Sequence, residues 1–117
     1  AEYPEWVGTA FNDFFFANLT SAAFTGNISF DSTGTPIEIN NAFFSVTNSS
    51  ALSGTGFDGG VGGGTGWLTT TSPVIPGETV TLEFTIGDVS DGIYDSTVLL
   101  DNFLWGTDTL TDPNTQQ

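Results

Sequence analysis

Thr79-Val80-Thr81-Leu82-Glu83-Phe84-Thr85-Ile86 alternates strictly between polar and apolar side chains, and that period of two decides the fold class. On a strand, successive side chains point to opposite faces. Val80, Leu82, Phe84 and Ile86 therefore share an inward face, and Glu83 lies on the outward one with Thr79, Thr81 and Thr85. Pro76-Gly77-Glu78 supplies the turn before it. Thr97-Val98-Leu99-Leu100-Asp101-Asn102-Phe103-Leu104 reads as a second strand beyond an acidic loop.

Working outward, residues 7–19 read as a strand or a pair of strands, with Phe11, Phe14, Phe15 and Phe16 among small residues. Residues 27–30 form a short strand, and Asp31-Ser32-Thr33-Gly34-Thr35-Pro36 is a tight turn. Residues 36–46 resume the pattern, Ile37-Glu38-Ile39 giving one buried and one wet face. No segment repeats apolar residues at helical spacing behind a capping box. The expected class is all-β: a two-sheet antiparallel sandwich of jelly-roll type. One domain covers residues 1–107, and residues 108–117, polar and containing Pro113, read as a tail or linker.

The chain has no Lys, Arg or His against 14 Asp and Glu, a formal charge of −14. Carboxylates without cationic partners repel one another and oppose compaction. The counter-charge must come from solution, and an oxygen-only ligand set without Cys, His or Met suits a hard cation. Calcium is the first expectation and a salt atmosphere the second. Phosphate recognition depends on Lys and Arg, so nucleic acid is excluded as a partner, and an anionic membrane surface would repel the chain. No run approaches the roughly 18 apolar residues of a membrane helix, so no membrane insertion is expected. Ser, Cys and Schiff-base catalysis lack their His, Cys or Lys. Only carboxylate-pair chemistry, as in glycoside hydrolysis, survives on paper. The absence of cysteine carries no redox signal. With no initiator Met and no signal peptide, the chain reads as processed or as a fragment.

Asp88, Asp91, Asp95 and Asp101 are the densest carboxylate group, the first three within the loop at 87–96. Asp101 shares a strand face with Leu99 and Phe103, so it is either buried with partners or in a local irregularity. A carboxylate among such neighbours needs a partner or a metal, which makes Asp101 the foremost ligand candidate, with Asp95 beside it. Asp88 and Asp91 fit a metal loop and a solvated loop equally, and the spacing is not that of an EF-hand. Asp13, next to Asn12 in a Phe-rich strand, caps a turn or bulge or reaches a metal. Glu38, Glu78 and Glu83 read as surface residues. The Gly run 59–66 lacks the Lys and helix of a phosphate loop. It reads as a flexible surface loop, the alternative being a close-packed loop presenting Phe57 and Trp67. Trp6, Trp67 and Trp105 are core residues or sugar-stacking platforms. Sequons at Asn18, Asn27 and Asn48 matter only in an exporting, glycosylating host.

Glu2-Tyr3-Pro4-Glu5-Trp6-Val7-Gly8 with Phe11-Asn12-Asp13, Gly26-Asn27-Ile28-Ser29-Phe30-Asp31, Thr65-Gly66-Trp67-Leu68-Thr69-Thr70, and Ile93-Tyr94-Asp95-Ser96 with Val98-Leu99-Leu100-Asp101-Asn102-Phe103 together resemble the bacterial and archaeal choice-of-anchor extracellular domains, most closely the L type. The resemblance spans residues 2 to about 106. It implies an exported or surface-attached β-sandwich with no established catalysis. The closing Asp-Asn strand is similar to that of jelly-roll carbohydrate-binding modules, where a carboxylate holds structural calcium; the likeness points to Asp101, with Asp95 and Glu2 as companions.

The expected function is a non-enzymatic, extracellular or cell-surface, calcium-binding module for attachment or for a surface structure. One rival is a filament subunit that binds copies of itself by strand exchange. Others are a module for surface glycans and, last, a glycosidase.

Overall fold

The structure, a computed structural model, describes residues 1–47, 50–58, 60–90 and 92–117. Its strands are β1 (Phe14–Thr20), β2 (Thr25–Asn27), β3 (Ile37–Glu38), β4 (Val46–Thr47), β5 (Gly63–Gly64), β6 (Thr69–Thr71), β7 (Thr81–Gly87) and β8 (Asn114–Gln116). Single 3-10 turns at Pro4–Trp6 and Ser50–Leu52 are the only helical pieces among the described residues. Every strand pair is antiparallel. The all-β antiparallel class is therefore as the alternation predicts.

β1 organises the largest sheet. Three consecutive Phe residues favour extended backbone because their rings pack on a pleated surface. β7 pairs along all of β1, from Phe14 opposite Gly87 to Thr20 opposite Thr81. On the other edge of β1, β2 and β3 lie end to end, opposite Asn18–Thr20 and Phe14–Phe15. The far edge of β7 has no strand partner among the described residues. Ala17, Leu19 and Ile28 form the buried centre, with Phe15, Phe24, Val74, Val80 and Leu82 packed around it. The phenyl ring of Phe14 lies across the sheet on Gly87, where a Cβ would come within 2.3 Å of it. Any side chain at that crossing would have to displace the ring.

The turn at 31–36 forms as read, for a reason beyond its Gly and Pro. The buried Asp31 carboxylate accepts from the N–H and hydroxyl of Thr33 (2.9 and 2.7 Å), from Thr35 N–H (3.0 Å) and from Ala42 N–H (3.3 Å). These donors hold its carboxyl below the usual range, with the Thr33 hydroxyl contributing most.

Several expectations need correction. Residues 7–19 contribute a strand only from Phe14, because Pro4 starts a 3-10 turn in front of them. The Gly run is not a flexible surface loop: Gly62, Gly63 and Gly64 are buried. β5 pairs with β4, and Gly63 exchanges two backbone hydrogen bonds with Glu2 (2.9 and 2.7 Å). A Cβ on Gly62 would meet the Phe57 carbonyl oxygen at 2.2 Å. The terminal stretch is no loose tail. β8 pairs with β6, and buried Thr115 joins Thr70 Oγ1 (2.9 Å) and donates to the Ile28 carbonyl (3.1 Å).

The largest correction is residues 97–104, expected as a strand, which form none. Thr97 exchanges backbone hydrogen bonds with Ala1, and the pairing stops there. From Val98 to Trp105 the chain makes no backbone–backbone hydrogen bond among the described residues. Its side chains are exposed, Phe103 by 67%, Leu104 by 73% and Trp105 by 69%. Asn102 has a left-handed φ of 59°, which breaks the alternation midway. On β7 the inward face is only half covered: Val80 and Leu82 pack on the core, whereas Phe84 and Ile86 stay about half exposed. Accessible surface is 7188 Å², against about 6,100 Å² for a monomer of this mass. The radius of gyration is 15.1 Å, against about 13.4 Å for this length.

Candidate functional site

Three elements meet where two carboxylates are buried side by side. Glu2 is fixed by its backbone pairing with Gly63. Asp13 stands immediately before β1 and accepts from the Ile39 side only through its carbonyl, which takes the Ile39 N–H at 3.3 Å. Ser96 arrives from the acidic loop, next to the Thr97–Ala1 pairing. Glu2 and Asp13 are both buried, and the Ser96 hydroxyl oxygen lies 2.5 Å from Glu2 Oε2 and 2.6 Å from Asp13 Oδ2. Glu2 Oε1 accepts from Tyr3 N–H (2.7 Å) and Asp13 Oδ1 from Val89 N–H (2.9 Å). Trp6, Phe11, Ile39 and Tyr94 wall the pocket, and Asp88 also lines it.

A hydroxyl has one proton to give, so it can donate to one of these carboxylates only. The second short contact needs either a proton on the other carboxyl or a cation between them. Burial pushes the Glu2 carboxyl above its ordinary value, and the Asp13 charge pushes the same way; the bonds from Ser96 and Tyr3 oppose this. A protonated Glu2 donating to Ser96, which donates to Asp13, satisfies every atom. A small hard cation held by the same oxygens would do so too.

The six expected ligands are thus dispersed. Glu2 and Asp13 come together and Asp88 lines their pocket. Asp95 is exposed and borders a separate shallow depression with Tyr3, Phe57 and Thr97. Asp91 lies outside the described residues, as does the Asn48 sequon. Asp101 is exposed, and its carboxylate turns back to accept from Asn102 N–H at 2.7 Å. The burial that singled it out is not there, because no strand forms around it. Among the described residues no group of three or more His, Cys, Asp or Glu is gathered closely enough to hold a metal ion.

Ser96 was legible only as a loop residue; its role depends on two distant segments meeting it. Glu78, expected on the surface, ties two turns together. It accepts from the Ser21 hydroxyl and from the N–H groups of Ala22 (2.9 Å) and Ile75 (3.0 Å). These bonds lower its carboxyl, the Ser21 hydroxyl most of all. Trp6 Nε1 is buried with no hydrogen-bond partner among the described residues.

No protein-family model, curated protein or solved structure matches the chain.

Proposed function

We propose that this chain is a non-enzymatic extracellular building block that completes its sandwich against copies of itself, as a filament or other surface structure. One observation carries the reading. The apolar side chains of residues 98–105 and the inward residues Phe84 and Ile86 are all left exposed to solvent. The surplus over an ordinary monomer, about 1,100 Å², is comparable to one partner's share of a stable protein–protein interface, about 800 Å². Large apolar side chains concentrated in solvent along one segment mark interaction surfaces. The resemblance to surface-attached domains supports an extracellular setting. Light scattering and electron microscopy across protein concentration test it: large particles or fibres are expected, and a monomer at high concentration would exclude the reading.

Calcium is the second element, supported by the buried Glu2–Ser96–Asp13 contact in a chain without cationic side chains. Added calcium is expected to raise the melting temperature above that in excess chelator at fixed ionic strength, since a ligand bound only by the native state stabilises it. Asp13→Asn is expected to shrink that difference and Asp101→Ala to leave it. Coincident melts would leave the protonated pair and salt screening in its place. A glycan platform draws less support: Phe103 and Trp105 meet edge to face at 89°, not as coplanar rings.

A further inference from the structure

We infer that residues 98–105 of one copy add as a strand to the free edge of β7 on a second copy. This rests on the self-assembly reading and names its two contact surfaces. β7 is the longest strand with an open edge, seven residues without Pro or Lys to guard it and with one charge, Glu83. Edges of this kind template the addition of another strand. The donor is equally unguarded: eight residues, apolar on both faces from Val98 to Leu100, with Asp101 as its one charge. On a chain of formal charge −14, each of these stretches carries a single carboxylate, so pairing them brings only two like charges together.

The donor is already half ordered. Thr97 is paired to Ala1 directly before it, and the chain is held again at β8, paired to β6, after residues 106–113. Tethering at both ends leaves less freedom to lose on docking. Asn102, left-handed, supplies the residue that a bulge in an added strand accommodates. Closure onto β7 of the same chain is opposed by the pins on the intervening loop. Val89 N–H and the Ser96 hydroxyl are both held at Asp13, and the Ser90 hydroxyl donates to the Ala10 carbonyl (3.0 Å).

The test uses the whole chain. Leu100→Pro removes an N–H that bonds to no backbone partner among the described residues of the single copy, so native circular dichroism and melting are expected to persist. The concentration needed for assembly is expected to rise about tenfold or more. Independently, chains carrying Glu83→Cys are mixed with chains carrying Asp101→Cys, with Thr81→Cys and Thr85→Cys covering neighbouring registers. The chain has no cysteine of its own, so every disulfide joins introduced cysteines and the mixed dimer, told from same-variant dimers by mass, reports the designed pair. Mixed disulfide dimers are expected. Wild-type assembly with an unaffected Leu100→Pro and no mixed disulfide would overturn the strand contact and leave the building-block reading standing. A disulfide closing within one doubly substituted chain, without mixed dimers, would overturn it in favour of closure on the same copy. A wild-type monomer would remove both.

Discussion

Glu2, Ser96 and Asp13 show at single-residue scale how a chain without cationic side chains can bury carboxylates: one hydroxyl stands between two of them. A group whose folded pKa is raised stabilises fully below its unfolded value, here 4.5 for Glu2, and that contribution is lost as pH rises through the folded value. Glu2→Gln is therefore expected to flatten the decline in stability above about pH 4.5, as measured by urea denaturation at several pH values. Asp31 behaves oppositely. Its lowered carboxyl stabilises above 3.8, and the contribution is lost as pH falls through the folded value. Asp31→Ala leaves the N–H groups of Thr33 and Thr35 without their acceptor and is expected to cost about 1–3 kcal/mol at neutral pH. An unchanged denaturation midpoint would show the turn to be held by Gly34 and Pro36 alone.

Elements depend here on close backbone approach more than on side-chain bulk. Gly62→Ala would drive a Cβ into the Phe57 carbonyl and is expected to destabilise by about 1–3 kcal/mol. Gly92→Ala, in open space, is expected to stay within about 0.5 kcal/mol of wild type. Equal effects would mean that β5 and its surroundings can spread without loss. β8 gives a second comparison. Thr115→Val keeps the shape but removes the hydroxyl bonded to Thr70 and Ile28, a loss of about 1–2 kcal/mol. A frayed tail would not register the change. β1, β7 and the turn at 31–36 were legible because alternation and turn chemistry are local. The failure at 97–104 has a physical cause: its residues suit a strand, but a strand also needs an edge within reach, and the loop that leads to it is held at Asp13 and Ala10, away from the open edge of β7.

At the scale of the whole molecule, charge and uncovered apolar surface oppose each other. Fourteen carboxylates without a basic side chain repel neighbouring copies, and the repulsion is screened within about 10 Å at 0.1 M salt. Assembly is therefore expected to strengthen with ionic strength and to weaken in low-salt buffer containing chelator, read as particle size. The opposite salt dependence would point to contacts made by the carboxylates themselves.

By itself the sequence determined the class of structure and the side-chain chemistry available to it. Period-two alternation made the chain all-β, and the missing Lys, Arg, His and Cys leave only oxygen, amide and aromatic side chains to build a site. Both follow from residue types and nearest neighbours. Only the tertiary structure decided which carboxylates meet and which apolar residues stay uncovered. Glu2 and Ser96 are 94 residues apart, and no local pattern links them. Asp101 has the same neighbours in sequence whether it is buried or exposed. Strand pairing and burial are contacts between distant segments, and their energy belongs to the pair of surfaces, not to either stretch of sequence.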